Sequence, residues 1–128
     1  MRRILIDTNI YSAFKRNVQY VTDILKRVDS IGINTVVLGE LYSGFKGGKK
    51  EELNKSELDQ FMDLSRVNIL LIDEITSEFY AYIYLNLKKI GKPVPTNDIW
   101  IAASALQHGL ALFTLDAHFK SVAGLMLK

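Results

Sequence analysis

The sequence predicts an α/β protein, a three-layer α/β/α sandwich in which helices cover both faces of a central parallel sheet. Short apolar segments alternate along the chain with longer amphipathic segments, a pattern typical of parallel strands joined by helices. The chain has 128 residues, of which 48% are hydrophobic, and this is enough to bury one core. We therefore expect a single domain over residues 1–128.

The first strand and the first two helices follow from residue pattern alone. Residues 3–7 (RILID) form an apolar strand that ends at Asp7, and Thr8 lies at the cap or in the first turn of the helix that follows. Apolar residues then recur at helical spacing, which predicts an amphipathic helix over 18–28.

The next strand and two helices are separated by clear breaks. Residues 31–34 (IGIN) form a short strand, and Thr35 is placed to cap a helix over 36–45. Gly47 and Gly48 then interrupt the helical pattern. Residues 51–65 resume it, with apolar side chains on one face and acids elsewhere.

A third strand and a long helix make up the next unit. Residues 67–73 (VNILLID) read as an apolar strand, and residues 75–90 as a helix. The core stripe that this helix is expected to present consists of Ile75, Phe79, Ile83, Leu87 and Ile90.

The last unit has a helix and a strand of similar length. Thr96 is a good N-cap for a helix over 98–108, and Gly109 is a good helix stop. The helix spans roughly 16 Å, and the strand over 110–115 that runs back spans roughly 20 Å. A short final strand is expected near Val122.

Composition argues for a soluble, cytoplasmic protein. The chain has no cysteine, which excludes disulfides and cysteine-ligated zinc. The basic opening is followed by too few apolar residues for a signal peptide. The uncharged run over 99–115 is interrupted by polar residues and glycine before it reaches the ~20 apolar residues of a membrane span. No membrane association is expected.

Four acids are predicted to meet at one edge of the fold. Asp7 ends the first strand and Asp116 the fourth, and parallel strands end at the same edge, where ligands bind in such sheets. Glu40 lies in the helix that leaves the second strand. The matched lengths of the last helix and strand return Asp98, at the helix start, to the edge that carries Asp116.

A cluster of this kind favours a divalent cation. Taken singly, each acid has an ordinary interpretation as a cap, a turn residue or a residue that complements a helix dipole. Glu40 fits this least well, because it shares a helix face with Val36 and Val37 and should need a cationic partner, either a basic side chain or a metal. Together the carboxylates would repel one another unless some held protons. Oxygen ligands alone favour Mg²⁺ or Mn²⁺ over zinc.

Four segments give the chain a recognisable signature, and nearly the whole chain fits it apart from residues 46–66 and the final segment. In this order and spacing the chain resembles a PIN domain, most closely the VapC-type toxins of bacterial and archaeal toxin–antitoxin pairs. The segments are IDTN at 6–9, LGELYSG at 38–44, NDIWIAASAL at 97–106 and TLDAHF at 114–119.

The resemblance implies a metal-dependent endoribonuclease that hydrolyses RNA phosphodiester bonds with Mg²⁺ or Mn²⁺. It also implies a cognate antitoxin that wraps the toxin and often inserts a basic side chain into the acidic pocket. The polar supports of the site are implied to be Asn9 and Thr114. The catalytic and metal-binding roles are implied to fall on Asp7, Glu40, Asp98 and Asp116, and the sequence does not depart from the family at these four acids.

We interpret the four acids as unequal metal ligands. Asp7 and Asp98 are expected to bind the principal ion directly, and Glu40 to bind it directly or through water. Asp116 then completes a second or outer position. His118 is interpreted as a surface histidine at a turn.

Other functions remain open. A binding-only PIN module is an alternative, although it would be expected to have lost acids, and a stand-alone RNA-processing nuclease is another. A third alternative is a phosphoryl-transfer fold, either a response receiver, which needs an acid pair after the first strand and a late-strand Lys, or a haloacid-type phosphatase, which needs an Asp-x-Asp start. Asp7-Thr8-Asn9 offers neither.

The helix over 79–87 (FYAYIYLNL) is apolar on all sides. One interpretation is a tyrosine-rich homodimer interface, and the other is burial under the segment 46–66. Because the family resemblance implies dimers, we favour the interface.

Overall fold

The computed structural model describes residues 2–128 and contains four strands and six α-helices in that range. A single 3-10 turn follows the last strand. In chain order the elements are β1 Arg3–Ile6, α1 Thr8–Lys15, α2 Gln19–Arg27, β2 Ser30–Asn34, α3 Thr35–Lys46, α4 Glu51–Met62, β3 Val67–Leu70, α5 Glu74–Ile90, α6 Thr96–His108, β4 Ala111–Phe113 and the 3-10 turn Ala117–Ser121.

The four strands form one parallel sheet in the order β3-β2-β1-β4. The register places Ile4 of β1 beside Ile31 of β2 on one side and beside Ala111 of β4 on the other. Strands β1 and β4, which are far apart in the sequence, are therefore neighbours in the sheet. The predicted three-layer sandwich with a central parallel sheet is confirmed.

The core lies on both sides of the two inner strands. The three apolar residues that end β1, Ile4–Ile6, are at most 2% exposed, as expected for a parallel strand covered on both faces. Helix α6 contributes an alanine-rich segment to this core. Its six buried residues are Ile99, Ile101, Ala102, Ala103, Ser104 and Ala105.

Strands β3 and β4 are shorter than the sequence predicts. The predicted strand over 67–73 ends at Leu70, because Asp73 closes a capping box with Thr76 that starts α5, and residues 71–73 lead into it. The predicted strand over 110–115 ends at Phe113, where the chain turns and the Thr114 hydroxyl is directed to β1. In both cases a side-chain hydrogen bond replaces the strand pairing.

Two predicted caps are also wrong by one residue. Asn34, not Thr35, caps α3, and its side-chain oxygen accepts a hydrogen bond from the Val37 amide at 2.9 Å. Thr96 is the first residue of α6, and Pro95 occupies the cap position without a side-chain hydrogen bond. At the start of α3 the buried side chain of Asn34, and not that of Thr35, accepts the hydrogen bond of the cap.

The predicted final strand near Val122 is absent from this part of the described chain. The 3-10 turn Ala117–Ser121 precedes Val122, and the later segment pairs with β4 only through a single bridge between Leu112 and Leu127. Buried Phe119 fixes the turn to the core.

Helix α5 buries only part of its predicted stripe. Ile83 and Leu87 are buried, but Ile75 and Ile90, at the two ends, are 51% and 52% exposed. A helix of 17 residues extends past the core at both ends, so its terminal apolar residues lack neighbours. None of the helices within residues 2–128 has both the length and the apolar character that crossing a bilayer requires.

Candidate metal centre

One cavity of about 330 Å³ lies at the carboxyl edge of the sheet, and all four predicted acids line it. Strands β1 and β4 bring Asp7 and Asp116 to this edge, α3 brings Glu40, and α6 brings Asp98. The remaining residues around the cavity are Thr8, Asn9, Ser12 and Arg16, all from α1 and its C-cap.

Asp7 lies deepest in the cavity, at the junction of β1 and α1, and its residue is only 5% exposed. One carboxylate oxygen accepts the Thr8 backbone amide at 2.8 Å, and the other accepts the Thr114 hydroxyl at 2.7 Å. Burial raises the pKa of Asp7 above its ordinary value, the two hydrogen bonds oppose that rise, and the nearby charges of Asp98 and Glu40 add to it. The site thus holds a carboxylate whose charge is unfavourable without a cation.

Glu40 is half-buried and pairs with a hydroxyl group. Its Oε1 accepts a hydrogen bond from Thr8 Oγ1 at 2.6 Å. The sequence led us to expect a cationic partner, and within residues 2–128 the structure gives Glu40 no basic side chain within ion-pair distance. Thr8 therefore orients two acids, Asp7 through its amide and Glu40 through its hydroxyl.

A buried amide connects the two helices that carry Glu40 and Asp98. Asn34 caps α3 with its oxygen and donates from Nδ2 to the Ser104 hydroxyl of α6 at 3.2 Å. Both residues are fully buried. This contact fixes α3 against α6 and so helps set the separation of their carboxylates.

Asp98 and Asp116 are bridged by a histidine. His118 Nε2 lies 2.6 Å from Asp98 Oδ2, and Nδ1 lies 2.9 Å from Asp116 Oδ1. The interpretation of His118 as a surface histidine is wrong in this respect: its side chain is 39% exposed, but both ring nitrogens face the site. Its position two residues after Asp116 in TLDAHF was the available signal.

The two predicted supporting residues hold the loop after β4. Thr114 donates to Asp7 and accepts the Asp116 amide at 3.0 Å, so one hydroxyl links two of the acids. Asn9 Oδ1 accepts the Leu115 amide at 3.2 Å. Each contact joins the segment after β1 to the segment after β4.

The donor groups suit a divalent cation. Among the residues described, Asp98, Asp116 and His118 form the one group of three whose possible ligand atoms lie within 4.8 Å of one another. Asp7 and Glu40 line the same cavity but are not part of that group. Several carboxylates around one buried acid with a raised pKa are the environment in which a bound cation removes mutual repulsion.

The family model described as PIN domain matches residues 4–125 of the chain. The chain belongs to the PIN domain family. The residues around the cavity thus come from a PIN domain, as the four sequence segments indicated.

Two curated relatives of this PIN domain are ribonucleases by name. Ribonuclease VapC4 of Mycobacterium tuberculosis is 31% identical over 122 residues, which cover 95% of this chain and 92% of that protein. Ribonuclease VapC2 of Rickettsia felis is 32% identical over 129 residues, covering 97% of this chain and 95% of that protein. The matches extend over nearly the full length of each protein.

A solved relative has the same fold. The crystal structure of VapBC2 from Rickettsia felis, bound to a DNA fragment from their promoter, contains a chain that superimposes with a TM-score of 0.89. That chain is 28% identical to this PIN domain, and the alignment covers 98% of this chain and 97% of the other.

Sequence reasoning missed three residues that line or complete the site of this PIN domain. Thr8 was interpreted only as a helix-start residue, and Ser12 and Arg16 were not considered. All three follow from the helical periodicity of α1, because positions 8, 12 and 16 succeed one another at intervals of four residues and share a face. Arg16 is exposed and adds a cation to the rim of an otherwise acidic cavity.

Proposed function

We propose that this PIN domain is a VapC-type toxin, a metal-dependent endoribonuclease that hydrolyses RNA phosphodiester bonds and is inhibited by a cognate antitoxin. The observation that carries the proposal is the meeting of four carboxylates around one cavity in a chain related along nearly its whole length to VapC ribonucleases. A binding-only module has no need to keep four carboxylates against one another.

The metal is assigned to the acids of the cavity. Asp98 and Asp116 supply carboxylates on one side, and Asp7 and Glu40 on the other, with Mg²⁺ or Mn²⁺ as the ion. When bound there, the ion supplies a water of lowered pKa and offsets the negative charge that develops on the phosphate.

The other residues of the cavity act on these acids and on the substrate. Thr114 and Thr8 hold the two oxygens of Asp7 in place, and Thr8 also holds Glu40. Arg16, at the rim, is positioned to attract the negatively charged RNA backbone towards an acidic interior. Asn9 and Thr114 keep the loop that carries Asp116 against α1.

The decisive test is cleavage of RNA by the purified protein and by Asp98→Asn. The variant removes one negative charge without changing the size of the side chain, so metal binding and cleavage are expected to fall by at least about a hundredfold while the fold is kept. Asp59→Asn is the matched control, because Asp59 is an exposed acid of α4 outside the cavity. Total RNA with Mg²⁺ or Mn²⁺, and the same reaction with EDTA, give the readout.

The result for Asp98→Asn and the effect of EDTA together decide whether the proposed metal site carries out the cleavage. Cleavage that needs the metal, survives in Asp59→Asn and is lost in Asp98→Asn supports the proposal. Cleavage that persists in EDTA or in a folded Asp98→Asn protein contradicts the assigned role of this carboxylate.

The partners follow from the same assignment. We propose that the antitoxin covers the cavity and places a basic side chain among its carboxylates, which would replace the charge of the cation. Co-expression with the cognate antitoxin is expected to give a complex without ribonuclease activity.

We also propose that the protein acts in the cytoplasm as a single domain over residues 1–128 and as a homodimer. Several apolar side chains of α5 are exposed, and we name three of them, Ile75, Tyr82 and Leu85, the α5 outer face. Tyr80, by contrast, packs on Trp100 of α6 with ring centroids 4.2 Å apart.

A further inference from the structure

The two sides of the cavity differ in their chemistry. On the Asp7 side every potential ligand is oxygen, and both oxygens of Asp7 and Oε1 of Glu40 already accept hydrogen bonds from Thr8 and Thr114. On the opposite side the ring of His118 lies between Asp98 and Asp116. It adds a nitrogen donor to a site for which the sequence predicted oxygen ligands alone.

His118 is held in this position by its own backbone. Its amide donates to Asp116 Oδ1 at 3.1 Å, so the carboxylate that the ring contacts also caps the 3-10 turn on which the ring stands. The next residue, Phe119, is fully buried and anchors the turn to the core. The imidazole is therefore placed by the fold rather than by chance contact at the surface.

The separations match those of ligands around one ion. Two donor atoms that bind at about 2.1 Å from a metal and at a right angle lie about 3 Å apart. His118 Nε2 lies 2.6 Å from Asp98 Oδ2 and Nδ1 lies 2.9 Å from Asp116 Oδ1, so whichever nitrogen binds the ion has a carboxylate oxygen beside it at about the separation of neighbouring ligands. One possible ligand atom from each residue lies within 4.8 Å of the other two.

We propose that His118 is a metal ligand, so that Asp98, Asp116 and His118 form a nitrogen- and oxygen-lined position that prefers Mn²⁺ to Mg²⁺. The inference rests on the proposed function, which already assigns the cation to this cavity, and it adds the ligand and the choice of ion. Mg²⁺ binds in proteins almost entirely through oxygen, whereas imidazole is a favourable ligand for first-row transition metals. Only one ring nitrogen can bind the ion, and the other keeps its carboxylate contact and orients the ring.

The alternative is that the ring acts only as a hydrogen-bonding bridge that positions two carboxylates. That role predicts equal effects on every divalent ion, because it changes the arrangement of the oxygens without contributing a ligand. Ligation predicts a selective effect on Mn²⁺.

The test uses the full-length protein and Mn²⁺, whose unpaired electrons report on coordinated nitrogen. Pulsed electron paramagnetic resonance of the Mn²⁺-loaded protein is expected to show coupling to a nitrogen nucleus that disappears in His118→Ala. His108→Ala is the matched control, because His108 is exposed in the last turn of α6 and does not line the cavity. The control is expected to keep the coupling.

Affinities give the second readout. Titration of Mn²⁺, and of Mg²⁺ by competition, is expected to show at least a tenfold loss of Mn²⁺ affinity in His118→Ala, the order of magnitude for loss of groups around a metal, with a smaller loss for Mg²⁺. Bound Mn²⁺ without nitrogen coupling, or equal losses for both ions, overturns His118 as a ligand and leaves the metal site intact. If the unmodified protein binds neither ion, the proposed function fails together with the inference.

Discussion

At the scale of single residues, Asp7 is the acid of the cavity whose pKa is raised above its ordinary value. It is buried, and burial is the main cause of its raised pKa, with the charges of Asp98 and Glu40 acting in the same direction. Because the folded state holds this proton more tightly than the unfolded state, the protein loses stability as pH rises from the ordinary pKa of an aspartate through the raised value. Above the raised value the loss is complete.

The raised pKa of Asp7 predicts that Asp7→Asn stabilises the metal-free protein. At neutral pH, thermal unfolding in EDTA is expected to give a higher melting temperature for the variant, because the neutral amide avoids the unfavourable buried charge. The difference should shrink as the solution is acidified and Asp7 takes up its proton. A gain in melting temperature that is the same at all pH values would contradict this origin.

The same site shows why sequence reasoning placed the acids but not all their partners. The four carboxylates follow strands or begin helices, and parallel topology alone brings such positions to one edge. The direction of the His118 ring depends instead on a 3-10 turn capped by Asp116, and a spacing of two residues in a loop does not fix which way a side chain points.

At the scale of elements, Gly109 ends α6 so that the chain can turn directly into β4. It has the left-handed conformation, with φ of 64°, and a Cβ added there would meet no atom within 4 Å. Gly109→Ala is therefore expected to lower the free energy of unfolding by about 1–2 kcal/mol through backbone strain alone.

Gly39, in the interior of α3, is the matched control for that substitution. A methyl group added at Gly39 would likewise meet no atom within 4 Å, but the backbone there is helical. Gly39→Ala is expected to raise the free energy of unfolding by about 0.5–1 kcal/mol. Urea unfolding of both variants checks the opposite signs, and a destabilised Gly39→Ala would show that more than backbone preference is involved.

Apart from the final strand expected near Val122, element order and type were predictable, whereas element ends were less so. Apolar runs and helical periodicity identify β1, β2 and α2 to α6 within a few residues, and for α1 they identify the start at Thr8. Strand β3 ends early ahead of the local capping box of Asp73 and Thr76, and β4 ends early where Thr114 makes a hydrogen bond to Asp7, a residue distant in the sequence. A run of apolar letters continues past both points and gives no sign of the change.

At the scale of the whole molecule, the α5 outer face is the feature that the monomer leaves incomplete. Tyr82 and Leu85 are 57% and 52% exposed, so the segment 46–66 does not cover them. If two copies associate through this face, the double substitution Tyr82→Glu and Leu85→Glu is expected to convert a dimer into a monomer by placing charges in a desolvated contact.

Light scattering during size-exclusion chromatography, at micromolar concentration, measures this change directly. Leu64→Glu is the control, because Leu64 is similarly exposed but lies after α4 and away from α5. A monomeric mass for the unmodified protein would contradict the proposed interface, and so would a dimer that the double variant leaves unchanged.

The cavity is divided between two halves of the chain. The exposed segment 47–50, between α3 and α4, separates Asp7 and Glu40 from Asp98, Asp116 and His118. Thr114 meets Asp7 across 107 positions of sequence. Each of the two stretches of chain on either side of this segment therefore carries only part of the set of acids, and the cavity forms where the two stretches pack together through the pairing of β1 with β4. The cavity is thus a property of the assembled sheet and not of any one contiguous stretch of the chain.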